Sequence, residues 1–137
     1  TIQIGKREIR PSFRRGRFRI SFIKQRNTIN KENIPLLRLL DAIRYVKKIP
    51  DAKIDKSCIR FMALLRELKA DEKVQLVKLA YKYSPATRAL LGALLISAGG
   101  IKDESVQNLK DSLNPISTYN FNVSEKVLPN AKNWNIT

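Results

Sequence analysis

Ser84-Pro85-Ala86-Thr87-Arg88-Ala89-Leu90-Leu91-Gly92-Ala93-Leu94-Leu95-Ile96-Ser97 decides how this chain folds. The stretch opens with a capping hydroxyl followed by proline at the first helical position, where a missing N–H costs nothing. It is apolar nearly all round, and Gly99-Gly100 stops it. A helix without a polar face must be wrapped by other elements, so this one is predicted to be the most buried. Small residues at Ala89, Gly92 and Ala93 let a neighbour approach its axis closely.

The flanking sequence supplies the neighbours. From about Asn33, Ile34, Leu37, Leu40, Ile43 and Val46 recur with helical spacing and stop before Pro50. Cys58, Phe61, Met62, Leu65 and Leu68 form a second stripe, with Asp55 as its expected cap, and Val74, Val77 and Tyr81 a third, capped by Asp71. After the glycine pair, Asp103 is expected to cap a fifth helix carrying Val106, Leu109 and Leu113, which Asn114-Pro115 breaks.

Both ends of the chain alternate instead. Phe18, Ile20 and Phe22 fall on one side of Arg17, Arg19 and Ser21, the period of a half-buried strand. A partner strand is expected from Ile2 to about Ile9, ended by Pro11, with Arg14-Arg15-Gly16 as the turn. Tyr119, Phe121 and Val123 alternate again and are expected to return as a strand to that hairpin, while Val127, Leu128, Trp134 and Ile136 dock on the core. The expected fold class is therefore α+β: an N-terminal antiparallel β-hairpin, a bundle of about five helices and a C-terminal strand or extended tail. The expected organisation is one domain over 1–137, made of a basic hairpin (1–26), a helical body (33–113) and an extended segment (114–137). The chain begins at Thr1 without an initiator Met, and a further domain is expected upstream.

Charge is the strongest functional signal. The 137 residues carry 27 Lys and Arg against 12 Asp and Glu, a net +15. Residues 1–26 alone hold nine cations (Lys6, Arg7, Arg10, Arg14, Arg15, Arg17, Arg19, Lys24, Arg26) against Glu8. Such a concentration attracts phosphate backbones, anionic lipid or an acidic protein. Several guanidinium forks on one ribbon can meet neighbouring phosphates bidentately, which gives affinity without sequence readout. The competing explanation is a solvated edge strand that uses Lys and Arg against aggregation. Neither a recognition helix nor a zinc-finger pattern supports direct base readout.

Catalytic chemistry finds little to work with. There is no histidine, which removes the commonest general base and metal ligand, and the five glycines form no phosphate-cradling fingerprint. The carboxylates Asp51, Asp55, Asp103 and Glu104 read as turn and cap residues, and lone Cys58, a helical turn from Met62, as core. Trp134, Tyr81 and Tyr83 read as packing residues. The expectation is a non-enzymatic protein without cofactor or metal. A single unpaired cysteine and the absence of an apolar run of about 18 residues point to the cytoplasm rather than to a membrane. Arg88 is the one charge in the apolar helix, either ion-paired within the fold or an additional contact to nucleic acid or a partner.

The runs Lys78-Leu-Ala-Tyr-Lys-Tyr-Ser-Pro-Ala-Thr-Arg-Ala-Leu-Leu-Gly-Ala-Leu-Leu95, Ser112-Leu-Asn-Pro-Ile-Ser-Thr-Tyr119, Val127-Leu-Pro-Asn130 and Trp134-Asn-Ile136 resemble the C-terminal region of AbiEi-like antitoxins of type IV abortive-infection toxin–antitoxin systems. Ile4-Gly5-Lys6-Arg7-Glu8-Ile9 resembles the start of that region, so most of the chain is covered. The resemblance implies an antitoxin that represses its own operon through DNA and counteracts a nucleotidyltransferase-like toxin without a stable complex. It also implies a winged helix-turn-helix upstream and carries over no catalytic residue. Two other expectations stand beside it: a protein-interaction domain that meets an acidic partner or the toxin, and an RNA-associated basic protein, the latter without stacked exposed aromatics or an RNA-recognition signature.

Overall fold

The computed structural model of the chain describes the backbone of residues 2–4, 12–15, 18–24, 27, 29–49 and 53–137, and the side chains of 27, 29–49 and 53–137. The chain divides into two compact units, residues 1–38 and 39–137.

The side-chain-described residues hold five α-helices and no strand: α1 (Ile34–Arg44), α2 (Ile54–Glu67), α3 (Ala70–Ala80), α4 (Pro85–Ala98) and α5 (Asp103–Asp111). Single 3-10 turns stand at Val46–Lys48 and Ala131–Trp134. This corrects the expected fold class, because the body is all-α rather than α+β. Its helices carry enough apolar surface to close on one another, so no sheet is needed to complete the core. Among the described residues, strand backbone occurs in the first unit, in three short segments, β1 (Ile2–Ile4), β2 (Ser12–Arg15) and β3 (Phe18–Lys24). They run in the order β1-β3-β2, with β1 parallel to β3, which is not the two-stranded hairpin that alternation suggested. Local alternation marks an extended segment and says nothing of how many partners it takes.

In the second unit α4 is the axis. Ala89 to Leu95 is buried without interruption, and the helix packs against α2, α5 and the 131–134 turn. Its start matches the sequence reading: the Thr87 amide donates to Ser84 Oγ at 3.4 Å, with Pro85 in the first turn. At its other end Gly99 and Gly100 take φ of 79° and 71°, a region that L side chains resist. Lys73 of α3, itself buried, donates from Nζ to Gly99 O at 2.9 Å, so its ammonium sits at the negative end of α4.

The other expected caps lie one or two residues inside their helices, whose N-caps are Lys53, Lys69 and Lys102. Asp55, Asp71 and Asp103 lie within the first turns of their helices, where a carboxylate still complements the dipole. Asp55 Oδ1 instead accepts from the Ser124 amide at 2.8 Å, tying the C-terminal segment to α2.

The expected C-terminal strand is also corrected. Asn122 and Asn135 adopt left-handed backbone, φ 54° and 55°, which ends any extended run. What remains is one isolated parallel bridge between Tyr119 and Ile136, inside the segment itself. Leu128, Trp134 and Ile136 are nonetheless buried. Gly92 makes room for Trp134: a Cβ at position 92 would collide with three carbons of the indole's six-membered ring. No helix among the described residues is long and apolar enough to cross a membrane.

Candidate nucleic-acid interface

Charge in the second unit concentrates where α1 ends and α2 begins. In the sequence of residues 44–60 six cations, Arg44, Lys47, Lys48, Lys53, Lys56 and Arg60, stand against two acidic residues, Asp51 and Asp55. Local packing decides how these cations are displayed. Leu40 and Ile43 are buried, which turns Arg44 outward, and buried Val46 anchors the 3-10 turn that presents Lys47 and Lys48. Ser57, Cys58, Phe61, Met62 and Leu65 bury one side of α2, leaving Lys53, Lys56 and Arg60 on the solvent side. The 3-10 turn packs against α2, so the two halves of the cluster are neighbours.

Rings, not carboxylates, hold the first half. The Arg44 guanidinium lies 5.1 Å from the Tyr45 ring centre and 5.9 Å from that of Tyr83. Lys48 Nζ lies 5.8 Å from Tyr45, and Lys47 Nζ 4.8 Å from Phe121. A cation over a ring gains about 0.5–1 kcal/mol at an exposed site and keeps its full charge for an incoming anion. None of the six has a carboxylate within 4 Å among the described residues, where the ion pair is Lys132–Glu125 at 2.9 Å, exposed on the C-terminal segment.

Beneath the rings, Tyr83 Oη donates to Asp41 Oδ1 at 2.7 Å. Asp41 is 5% exposed, and its Oδ2 has no hydrogen-bond partner among the described residues. Burial raises its pKa above the ordinary carboxylate value, against the pull of the Tyr83 bond and of the Arg44 charge. Cys58 is buried and its thiol is pushed up to about 11, first by burial and then by Asp55, which leaves it protonated and inert. Among the described residues no group of three or more His, Cys, Asp or Glu stands close enough to hold a metal ion.

The residues singled out from sequence fare differently. Lys6, Arg7, Arg10, Arg17 and Arg26 lie outside the described residues. Arg14 and Arg15 belong to β2, and Arg19 and Lys24 to β3, with Arg14 in register with Arg19. Arg88 has no ion-pair partner among the described residues and is not presented outward. It is half-buried, and its Nη1 donates to Ser112 Oγ at 2.9 Å and Ser112 O at 3.3 Å, beside the C-terminal end of α5. That position suits a cation and makes Arg88 a tie between α4 and α5. Sequence reasoning passed over the 44–60 cluster, although its charge imbalance and Tyr45 were legible. Comparison of the chain with protein-family models, curated proteins and solved structures finds no match.

Proposed function

We propose that this chain is a non-enzymatic nucleic-acid-binding domain of an antitoxin-type transcriptional repressor, and that residues 44–60 contact duplex phosphates. The observation that carries the reading is the set of six cations held by aromatic rings or left free of carboxylates among the described residues. Such cations meet phosphate without first breaking an ion pair. Phosphate contacts position a protein on DNA without reading sequence, so operator choice falls to the winged helix-turn-helix that the antitoxin resemblance implies upstream. In that reading the pairing with a nucleotidyltransferase-like toxin is functional and leaves no stable complex.

The test is replacement of Arg44, Lys47, Lys48, Lys53, Lys56 and Arg60 by Ser, with duplex affinity measured at several salt concentrations. The reading expects weaker binding and a shallower salt dependence, because each lost phosphate contact removes close to one unit of slope. Unchanged affinity and slope would refute it.

One observation favours a protein partner on the same face. Ile59 is 52% and Leu64 41% exposed, flanking the Lys56–Arg60 row on the solvent side of α2. A mixed apolar and basic face suits an acidic helix or loop. Light scattering of the domain with a co-expressed toxin separates the readings: a stable complex, lost in Ile59→Ser with Leu64→Ser, identifies a protein-docking face.

A further inference from the structure

In a chain of net +15, with 28% of its residues charged, the stretch 112–124 carries no charged side chain. The other uncharged run of that length, 89–101, is largely the buried axis α4. Here the residues meet water instead. Asn114, Pro115, Ile116, Thr118 and Asn120 are exposed. Ile116, at 86%, is the most exposed large apolar side chain among the described residues, where Ile59 follows at 52%. At the border of this surface Lys132 is neutralised by Glu125 at 2.9 Å. An exposed isoleucine by itself is ordinary. One at the apex of a neutral surface on a strongly basic chain marks a place where another protein surface approaches without repulsion.

The apex is held in shape. The Ile116 amide donates to Asn114 Oδ1 at 3.0 Å and the Ser117 amide to Asn114 O at 3.2 Å. Asn135 Nδ2 donates to Pro115 O at 3.1 Å, and the Tyr119 amide to Asn135 O at 2.8 Å. Little ordering is therefore left for an encounter to impose. Beside the apex, between the last turn of α5 and the 131–134 turn, lies a cleft of about 470 Å³ lined in part by Leu113, Pro115, Tyr119 and Trp134. Pro115 belongs to its wall and Ile116 is the next residue, so a knob and a hole sit side by side on one surface. A two-fold axis turns that arrangement into a closed pair, each knob entering the other copy's hole. Lys110 and Asp111 give the cleft wall both signs of charge, and the exposed carboxamides of Asn114 and Asn120 both donate and accept, so two identical surfaces meet without conflict.

Charge selects the occupant. An acidic protein or a phosphate backbone is drawn to cations, which residues 44–60 offer and residues 112–124 lack. Two copies of a +15 chain repel one another over most of their surface, so contact between them is confined to where the charge is missing. We propose that residues 112–124 form the interface of a homodimer, with Ile116 of each copy seated in the other's cleft. This does not depend on the duplex reading above.

Sedimentation velocity of the full chain at about 1–300 µM tests it. The expected result is a reversible monomer–dimer equilibrium that tightens as salt rises from about 0.1 to 1 M, because salt screens the net charge and leaves the apolar contact intact. Ile116→Asp is expected to weaken association at least tenfold, as loss of a central anchor does, with the melting temperature unchanged because the side chain is exposed in the monomer. Ile116→Val keeps most of the association. The six-cation Ser variant leaves this surface intact and is expected to dimerise at least as tightly as the parent, so failure of the duplex reading and failure of this one are told apart. A chain that stays monomeric throughout overturns the proposal and leaves the surface to a different protein. Dimerisation that survives Ile116→Asp overturns it too, as does dimerisation lost instead in Ile59→Ser with Leu64→Ser, which would move the interface to α2.

Discussion

Gly92→Ala tests the packing on which both α4 and the C-terminal segment depend. In an open helix interior this substitution stabilises by about 0.5–1 kcal/mol, because glycine is the costlier residue to order. Here the added methyl falls on three ring carbons of Trp134, which is buried and backed by the 131–134 turn packed on α4. Overpacking of this kind costs about 1–3 kcal/mol, so repulsion wins and the net loss is about 1–2 kcal/mol. For a unit spanning residues 39–137 that corresponds to a fall of roughly 5–15 °C in melting temperature, followed by far-ultraviolet circular dichroism. Trp134→Phe removes the offending atoms, so Gly92→Ala introduced into that background is expected to cost less, with a coupling of about 1 kcal/mol or more across the cycle. A melting temperature that stays or rises in Gly92→Ala would refute the reasoning.

Asp41→Asn keeps an acceptor for the Tyr83 hydroxyl and removes a buried charge. Because burial raises the Asp41 pKa above 3.8, the folded chain holds that proton more tightly than the unfolded one. Its contribution is therefore greatest below 3.8 and is lost as pH rises through the folded value. The variant's advantage in urea midpoint over the parent is expected to grow from acid toward neutral pH, and a pH-independent difference would contradict this. Cys58, with its pKa pushed up to about 11 by burial, should react with Ellman's reagent at pH 8 far more slowly in the folded chain than in the urea-unfolded one, and equal rates would contradict its burial. Arg88→Met loses the bonds to Ser112 and is expected to destabilise by about 1 kcal/mol while duplex affinity holds. A drop in affinity at unchanged stability would return Arg88 to the contact surface.

The helices were legible because their signals are local. Ser84-Pro85 and Gly99-Gly100 bound α4 by cap, proline and left-handed chemistry that neighbouring residues cannot overrule. The fold class was not legible, because alternation at Phe18–Phe22 and at Tyr119–Val123 looks alike on the page. Whether such runs join a common sheet is a tertiary outcome, and left-handed Asn122 and Asn135 decided it for the C-terminal one. Arg88 shows the same limit: an arginine in an apolar helix calls for a partner, and only packing reveals that the partner is Ser112 and not a carboxylate. The 44–60 cluster spans a helix end, a turn and a second helix, and two of its rings, Tyr83 and Phe121, come from distant sequence.

Salt dependence of duplex affinity, measured on the whole chain, is the most direct test of the proposed interface at residues 44–60. Six phosphate contacts there predict a slope of log K against log salt steeper by about 5 in the parent than in the chain with Ser at all six positions. Between about 50 and 200 mM salt those contacts alone are worth about a thousandfold in affinity. Superimposable slopes for the two proteins, with the fold of the variant intact, would contradict the account.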